Sequence, residues 1–267
     1  MPQFFLSAWR SGLRGRGFWG VFFLGIAFVA VAYFSASFSP RQPRTVALDI
    51  GLSGLRFSLV LFAITIVQEL VGNEIERRCI VLALSYPVSR AHYLVGRYLG
   101  VAALTGCSAL ILGGILWIAV YSSALQYKQQ FAISLGGPYW IAIFGIWLDV
   151  MVVAAFVLWI ASISTVRMLP LALGAIFAIA GKALGSVVDY LARGADGQED
   201  MVAVYGPLME MIRYLIPDLS RLDWRVWPMY GLQPDGEAMI LAAVMGVAYM
   251  VVMVGLALHA FSRREFL

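Results

Sequence analysis

Few residues in this chain have the types and spacing that chemistry requires. His92 and His259 stand alone, and the sequence contains no His-Glu-x-x-His motif. Gly181-Lys182-Ala183 imitates the end of a phosphate-binding loop, but the glycine spacing is wrong and neither Ser nor Thr follows the lysine. No nucleophile–base constellation is evident. The sequence therefore predicts a chain that is not an enzyme, with no catalytic, ATP, metal or cofactor site of its own.

Charged residues inside long apolar stretches are the next candidates for function. A charge in such a place is costly unless it is paired or in contact with water. The residues are Arg56, Asp149, Lys182 and Asp189. One interpretation is a polar lining for a lateral or central pathway. The other, which we favour, is an ion-pair clasp between helices, either Asp149–Lys182 or Asp149–Arg56. Arg56 and Asp189 could also extend to the membrane surface along their own side chains.

The composition excludes a water-soluble globule. Of the 267 residues, 61% are hydrophobic and 13% are charged, and the mean hydropathy is +0.84. Soluble domains carry roughly 25% charged residues, and this chain has too little polar surface to cover a globule. The net charge of +4 does not indicate nucleic acid binding, because the arginines flank apolar stretches and set membrane topology there. Cys79 and Cys107 lack metal-ligand spacing and are interpreted as small apolar residues. We predict one membrane domain, residues 1–267.

Six stretches are long and apolar enough to cross a bilayer, which takes ~20 mostly apolar residues. They cover approximately residues 18–36, 51–72, 99–121, 139–162, 169–190 and 237–261. An even number of spans puts both termini on one side of the membrane. The short segments on that side carry more basic residues than the longer loops on the other side. Because basic residues concentrate in cytoplasmic loops, both termini are predicted to be cytoplasmic.

Residues 1–16 are predicted to form an interfacial helix. Apolar side chains recur there at helical spacing, and two arginines lie one turn apart. The apolar residues are Phe5, Leu6, Trp9 and Leu13, and the arginines are Arg10 and Arg14. A cleaved signal peptide is the alternative. It is disfavoured because the apolar run that follows is longer than the apolar region of a typical signal peptide.

The connection between the second and third spans, residues 73–98, is unusually charged for a turn. Glu74 precedes Arg78 by one helical turn, which is the favourable order for an ion pair. Apolar residues recur on one face, at Ile75, Cys79 and Leu82. Pro87 cannot continue the helix. One interpretation is an ordinary cytosolic loop; the other is a coupling helix that fits into a motor subunit.

This connection resembles a signature of the ABC type-2 exporter permeases. The run reads Glu74-x-Glu76-Arg77-Arg78-x-Ile80, then Leu84-Ser85-x-Pro87-Val88-Ser89-Arg90, then Tyr93-x-x-Gly96-Arg97. That family typically shows an acidic and basic run, a Leu-Ser-x-Pro-Val-Ser-Arg-like stretch, and then Gly-Lys or Gly-Arg. The basic N-terminal elbow, the six spans and the tail Phe261-Ser-Arg-Arg-Glu-Phe266 extend the resemblance over the chain.

The resemblance implies an all-α integral membrane fold: six transmembrane helices, an N-terminal interfacial elbow helix, and a cytoplasmic coupling helix between spans two and three. It implies a subunit of an ATP-driven exporter in a bacterial-type inner membrane. A second copy of the chain and a cytosolic ABC ATPase, which would hold ATP and Mg²⁺, would be its partners. The residues carried over as ATPase contacts are Glu74, Glu76, Arg77, Arg78 and Arg90.

The resemblance leaves a second function open. A non-transport permease of the same fold would transmit the motion of the ATPase to an outer-side accessory protein, in cofactor or envelope assembly. The substrate of a transporting member is not specified by these residues.

Residues 191–236 are predicted to form the largest loop, on the outer side. Gly206-Pro207 breaks its apolar run, 201–216, into pieces too short to span. These pieces either enter the membrane as re-entrant helices or lie on the lipid headgroups as a lid. Residues 215–225 also resemble a Pro-centred element of the family. Gly181 and Gly185, four residues apart, predict together with the resemblance a homodimer contact near the first and fifth spans.

Overall fold

The structure, a computed structural model, describes residues 2–39, 41–72, 90–123, 133–192 and 216–263. Within these ranges every regular element is helical. The long helices are α1 (Pro2–Arg14), α2 (Arg16–Ser37), α3 (Pro43–Val67), α4 (Arg90–Ser122), α5 (Gly137–Ile163) and α6 (Leu169–Ala192). A π-helical turn, Gln68–Gly72, extends α3. A 3₁₀ turn (Leu219–Leu222) and a short helix α7 (Val226–Tyr230) precede the last long helix, α8 (Gly236–Arg263).

Six helices in the described ranges are long and apolar enough to cross a membrane, which confirms the predicted number of spans. They are Gly17–Ser37, Pro43–Gly72, Arg90–Ser122, Gly137–Ile163, Leu169–Val188 and Gly236–Arg263. The chain is thus a multi-pass membrane protein. The six spans of the described ranges place α1 and the end of α8 at the same end of the bundle, which we call the terminal side; the other end is the opposite side.

The second span begins at Pro43, eight residues earlier than the prediction from the sequence. Proline suits the first turn of a helix, because its φ angle is already helical and its missing N–H would have no partner there. The longer helix includes Asp49, and it places Arg56 near its middle rather than two turns from its end. Arg56 thus lies farther from the end of the span than the prediction from the sequence places it.

α5 lies at the centre of the helix bundle. In its apolar stretch 78% of the residues are buried within the chain, against 22% for the first span and 17% for α8. α5 contacts α3, α4, α6 and α8. In a bilayer such contacts are held by close packing rather than by exclusion of water. The faces of α2 and α8 that stay exposed are left for lipid or for other subunits.

Hydroxyl side chains inside the spans are satisfied locally. Four of them donate to the carbonyl oxygen one turn earlier: Ser58 to Gly54 (2.8 Å), Thr65 to Leu61 (2.7 Å), Thr105 to Val101 (2.9 Å) and Ser162 to Leu158 (2.8 Å). The bilayer core offers no water to such groups, so each needs a partner within the protein. These serines and threonines therefore fit a membrane location without a functional role.

α1 packs on the half of the bundle nearer the terminal side. Its range, Pro2–Arg14, agrees with the helix predicted over residues 1–16. It packs mainly on α4. Ala8 is fully buried, and a side chain at Gly12 would meet Leu104 and Ile66. The position of α1 at the membrane surface stays a prediction.

A carboxylate lies at the junction between α1 and α2. A Cβ atom on Gly15 would come 2.5 Å from Glu69 Oε2, and one on Gly17 would meet Oε1 of the same side chain. Glu69 belongs to the π-helical turn that ends the second span. The N-terminus of α2 carries partial positive charge, which stabilises a nearby acid. The two glycines thus let the end of the second span approach the start of the first.

Candidate functional site

One face of α3 carries a row of polar side chains in the half nearer the opposite side. Asp49, Ser53 and Arg56 are spaced three and four residues apart, so they follow one face of the helix. The side chain of Asp49 is 58% exposed and that of Arg56 17% exposed. Charged groups that face lipid are costly. This face of α3 therefore requires water or another protein surface in front of it.

Arg56 is paired with the buried carboxylate of α5. Its Nε donates to Asp149 Oδ2, and its Nη2 donates to the carbonyl oxygen of Ala178 on α6 at 3.4 Å. Asp149 is 2% exposed, and its Oδ1 accepts no hydrogen bond within the described part of the chain. One guanidinium thus ties three central helices together at mid-height. Of the two predicted clasps, the structure contains Asp149–Arg56.

A second set of ion pairs joins α6, the segment before α7, and α3. Lys182 Nζ donates to Asp223 Oδ2. Arg225 Nε donates to both carboxylate oxygens of Asp223, at 2.8 and 2.9 Å. The other end of that guanidinium reaches Ser53 Oγ at 2.6 Å and Asp49 Oδ1 at 3.5 Å. Lys182 therefore pairs with Asp223. The predicted Asp149–Lys182 clasp is wrong.

The charges of this network alternate in sign. The acids are Asp49, Asp149 and Asp223, and the bases are Arg56, Lys182 and Arg225. Burial alone would raise the pKa of Asp223, but the hydrogen bond from Arg225 and the positive charge of Lys182 outweigh it, so the pKa lies below its ordinary value. Every member has a partner of opposite charge, so the network is suited to holding helices and a connecting segment in one arrangement.

Residues 217–224 enter the bundle between α5 and α6. A Cβ atom on Gly181 would come 2.7 Å from Leu219, and one on Gly185 would meet the side chain of Ser220. A Cβ on Gly145 would come 2.5 Å from the carbonyl oxygen of Leu222. Asp218 accepts from the backbone N–H of Ser220 at 3.1 Å and so caps the 3₁₀ turn. The glycines of both helices make room for this segment, which we call the wedge (residues 217–224).

The wedge corrects one prediction from the sequence. The sequence predicts that Gly181 and Gly185 contact a second copy of the chain, but Leu219 and Ser220 of the same chain cover these glycines. Two small residues four positions apart indicate that another segment packs closely there, but they do not identify that segment. Of the predicted apolar run, 201–216, only Ile216 lies within the described residues.

The predicted ATPase contacts fall mostly outside the described residues, since Glu74, Glu76, Arg77 and Arg78 all lie within 73–89. Arg90 is described, and its Nη1 donates to the carbonyl oxygens of Phe261 (3.3 Å) and Ser262 (2.9 Å).

Arg90 therefore has a structural partner. The carbonyl groups at the end of a helix lack partners of their own and carry partial negative charge, so Arg90 stabilises the end of α8. The ring of Tyr93 stacks on that of Phe261 at 5.9 Å between centroids. The start of α4 is thus joined to the end of α8. Asp189 lies near the end of α6, and its side chain is outside what the structure describes.

Sequence reasoning missed half of the network. Asp49 lies just outside the predicted second span, 51–72, and Asp223 and Arg225 lie within the predicted outer loop, 191–236. The spacing of Asp49, Ser53 and Arg56 along one helix face was a usable signal. No sequence signal indicated that Asp49 and Ser53 pair with Arg225, or Lys182 with Asp223, because the partners are distant in sequence and meet only in the fold.

None of the curated proteins compared with the chain matches its sequence. The family model of the ABC-2 family transporter proteins matches residues 7–266, which include α3, α5, α6 and the wedge. Members of this family are membrane-embedded subunits that work with an ATPase partner and normally lack an ATP site of their own. The chain therefore belongs to the ABC-2 transporter family, as a permease subunit of an ABC transporter.

Proposed function

We propose that this chain couples ATP hydrolysis by a separate cytosolic ATPase to the outward movement of a substrate, as one of two copies in an inner-membrane exporter. The observation that carries the proposal is the polar face of α3. Asp49, Ser53 and Arg56 run in a row into the bundle and remain partly exposed within the single chain. A charged row of this kind is costly against lipid and fits a water-accessible pathway between two copies.

In the proposal the wedge closes this pathway at the opposite side, which is then the outer side. Asp223 binds Lys182 of α6, and Arg225 binds Ser53 and Asp49 of α3. α3 and α6 cannot separate at this level without breaking one of these contacts. Because the groups are partly withdrawn from water, the contacts are stronger than on an open surface. Outward release would follow when the ATPase moves the helices and the contacts open.

The terminal side is the proposed ATPase side, with both termini cytoplasmic. Glu74, Glu76, Arg77 and Arg78 are the proposed contacts, and Arg90 adds a tie to the last span through Phe261 and Ser262. Motion received between the second and third spans would in this way reach α8 as well as α4. ATP and Mg²⁺ belong to the ATPase and not to this chain.

One observation favours a second function, transmission of ATPase motion to an outer-side accessory protein. The charges of the network neutralise one another, and Asp49 is the network member whose side chain is most exposed. A pathway built for a charged substrate would more commonly leave charges of one sign available. A mechanical subunit needs only two arrangements of the same helices.

The test starts with the ATPase. We expect the purified chain to hydrolyse no ATP alone and to gain activity when its ATPase partner is co-expressed. Arg77→Glu/Arg78→Glu should weaken retention of the ATPase by roughly 10²-fold or more, since hydrogen bonds to charged groups contribute about 1.5–3 kcal/mol each. Arg41→Glu/Arg44→Glu, between the first two spans, is the control and should retain the ATPase. Equal retention by both variants would exclude the proposed contact region.

Transport and remodelling are separated by reconstitution of the active complex in vesicles. ATP-dependent movement of lipid or solute between compartments supports export. Hydrolysis without such movement, combined with an outer-side protein that cross-links to the chain only in the presence of ATP, supports remodelling.

A further inference from the structure

We propose that α1 carries a binding site for the phosphodiester headgroup of an anionic phospholipid, formed by Ser7, Arg10 and Ser11. The inference rests on the chain being a membrane protein and is independent of its coupling to an ATPase. Ser7, Arg10 and Ser11 lie at positions i, i+3 and i+4, and Arg14 continues the same face one turn later. α1 contains neither Asp nor Glu.

The chemistry of this face suits a phosphodiester. A guanidinium presents N–H donors in a planar fork that matches two phosphate oxygens, and a serine hydroxyl adds a further donor. Glu69 lies against Gly15 and Gly17, past the last turn of the helix. Arg10 and Ser11 are both exposed. The face therefore offers donors and positive charge, and Glu69 lies beyond its far end.

The buried face of α1 holds the helix with Arg10 and Ser11 on its exposed side. Ala8 and Gly12 are buried, with Gly12 against Leu104 and Ile66. An open pocket of about 430 Å³ borders the polar face, and its described lining consists of Leu6, Ser7, Arg10 and Ser11. Since α1 is held by its buried face, Arg10 and Ser11 stay exposed at this pocket.

The neighbouring apolar residues favour a lipid as the occupant. Leu6 is 49% exposed and Leu13 is 37% exposed, and both lie on the flank of α1 next to Arg10. The first span begins at Gly17, so α1 ends where the membrane begins. A phosphodiester bound at Arg10 would thus have apolar side chains beside it for the acyl chains. An ATPase surface would satisfy Arg10 equally well but gives no reason for exposed leucines at the membrane boundary.

The experiment measures which lipids the intact chain retains. The protein is incorporated into nanodiscs of equimolar phosphatidylcholine and phosphatidylglycerol, extracted gently, and its bound lipids are counted by native mass spectrometry. We expect several-fold enrichment of phosphatidylglycerol on the unaltered chain. Ser7→Ala/Arg10→Gln/Ser11→Ala should remove that enrichment, while Arg10→Lys should retain part of it. Arg41→Gln, which removes one positive charge on the opposite side, is the matched control and should leave the enrichment unchanged.

Three results would overturn the proposal. The first is equal enrichment on the triple variant and the unaltered chain, or none on either. The second is displacement of phosphatidylglycerol by excess inorganic phosphate at matched ionic strength, which would make this a site for free anions. The third is a triple variant that keeps its lipid and loses the co-expressed ATPase, which would assign the face to that protein.

Discussion

The stability cost of substituting Arg56 and Asp149 depends on whether one of them is replaced or both. Asp149 is 2% exposed and lies near mid-membrane, so its charge depends on the guanidinium next to it. Removing one partner of a buried pair strands the other charge, which typically costs about 3–5 kcal/mol. Replacing both with apolar groups removes the desolvation penalty together with the attraction, and is often neutral.

We therefore expect Asp149→Asn and Arg56→Gln each to lower the free energy of unfolding by about 3 kcal/mol, and Arg56→Met/Asp149→Leu to lower it by less than either. Unfolding in mixed micelles with increasing denaturing detergent measures this. Asp49→Asn is the control: its contact to Arg225 is 3.5 Å long and its side chain is largely exposed, so the change should be about 1 kcal/mol or less. A double variant as unstable as the sum of the singles would show that the two residues act independently.

Asp223 gives the wedge a dependence on pH. Its pKa is lowered in the folded chain, so its contribution to stability is fully present above the unfolded value of about 3.9. That contribution is lost as pH falls below this value through the folded pKa. We expect acid to release the wedge, seen as a rise in the alkylation rate of Ser220→Cys relative to that of the exposed Arg41→Cys at the same pH, in a background lacking Cys79 and Cys107. The ratio is required because acid protonates every thiol and slows its alkylation. Asp223→Asn should raise this ratio already at neutral pH, and a ratio that does not change with acid would contradict the assignment.

At the scale of elements, the docking of the wedge depends on glycines in the helices it separates. The carbonyl oxygen of Leu222 would lie 2.5 Å from a Cβ atom on Gly145, and Trp224 would lie 2.9 Å from it. A backbone oxygen cannot rotate away as a side-chain end can, so the wedge or α5 must shift. Overpacking of this kind typically costs about 1–3 kcal/mol.

Gly145→Ala should therefore loosen the wedge and raise the alkylation rate of Ser220→Cys at neutral pH. Gly114→Ala is the matched control. It makes the same change in a neighbouring span, where nothing lies within 4 Å of the new Cβ. Alanine favours the helix over glycine by about 1 kcal/mol, so this variant should be as stable as the unaltered chain or more so. Equal labelling of both variants would mean that Gly145 does not position the wedge.

The whole molecule has a predicted orientation that can be tested directly. Basic residues favour cytoplasmic termini, which places the wedge and the polar face of α3 on the outer side. Single cysteines at Ser11 and Arg263 should react with an impermeant reagent only after the cell membrane is opened, and a cysteine at Arg41 should react in intact cells. The reverse pattern would put the wedge on the ATPase side and remove its proposed gating role.

The sequence by itself determined the membrane class, the six spans and the family. These depend on composition, on the length of apolar runs and on a local motif, all of which can be read along the chain. The second span was predicted as residues 51–72, and the helix begins eight residues earlier, at Pro43, with Asp49 inside it. The fold shows that a charge near a helix end can stay inside the helix when a partner such as Arg225 is available.

The tertiary structure alone decided which charges meet. Lys182 lies 33 residues after Asp149 and 41 before Asp223 in the chain, and nothing in that spacing favours the second partner. The choice follows from the wedge, which brings Asp223 between α5 and α6 where Gly145 and Gly181 leave room. The same packing covers Gly181 and Gly185, which the sequence predicted to contact a second copy of the chain. Pairings of this kind depend on how distant segments fit together in space, and periodicity along one helix does not encode that fit.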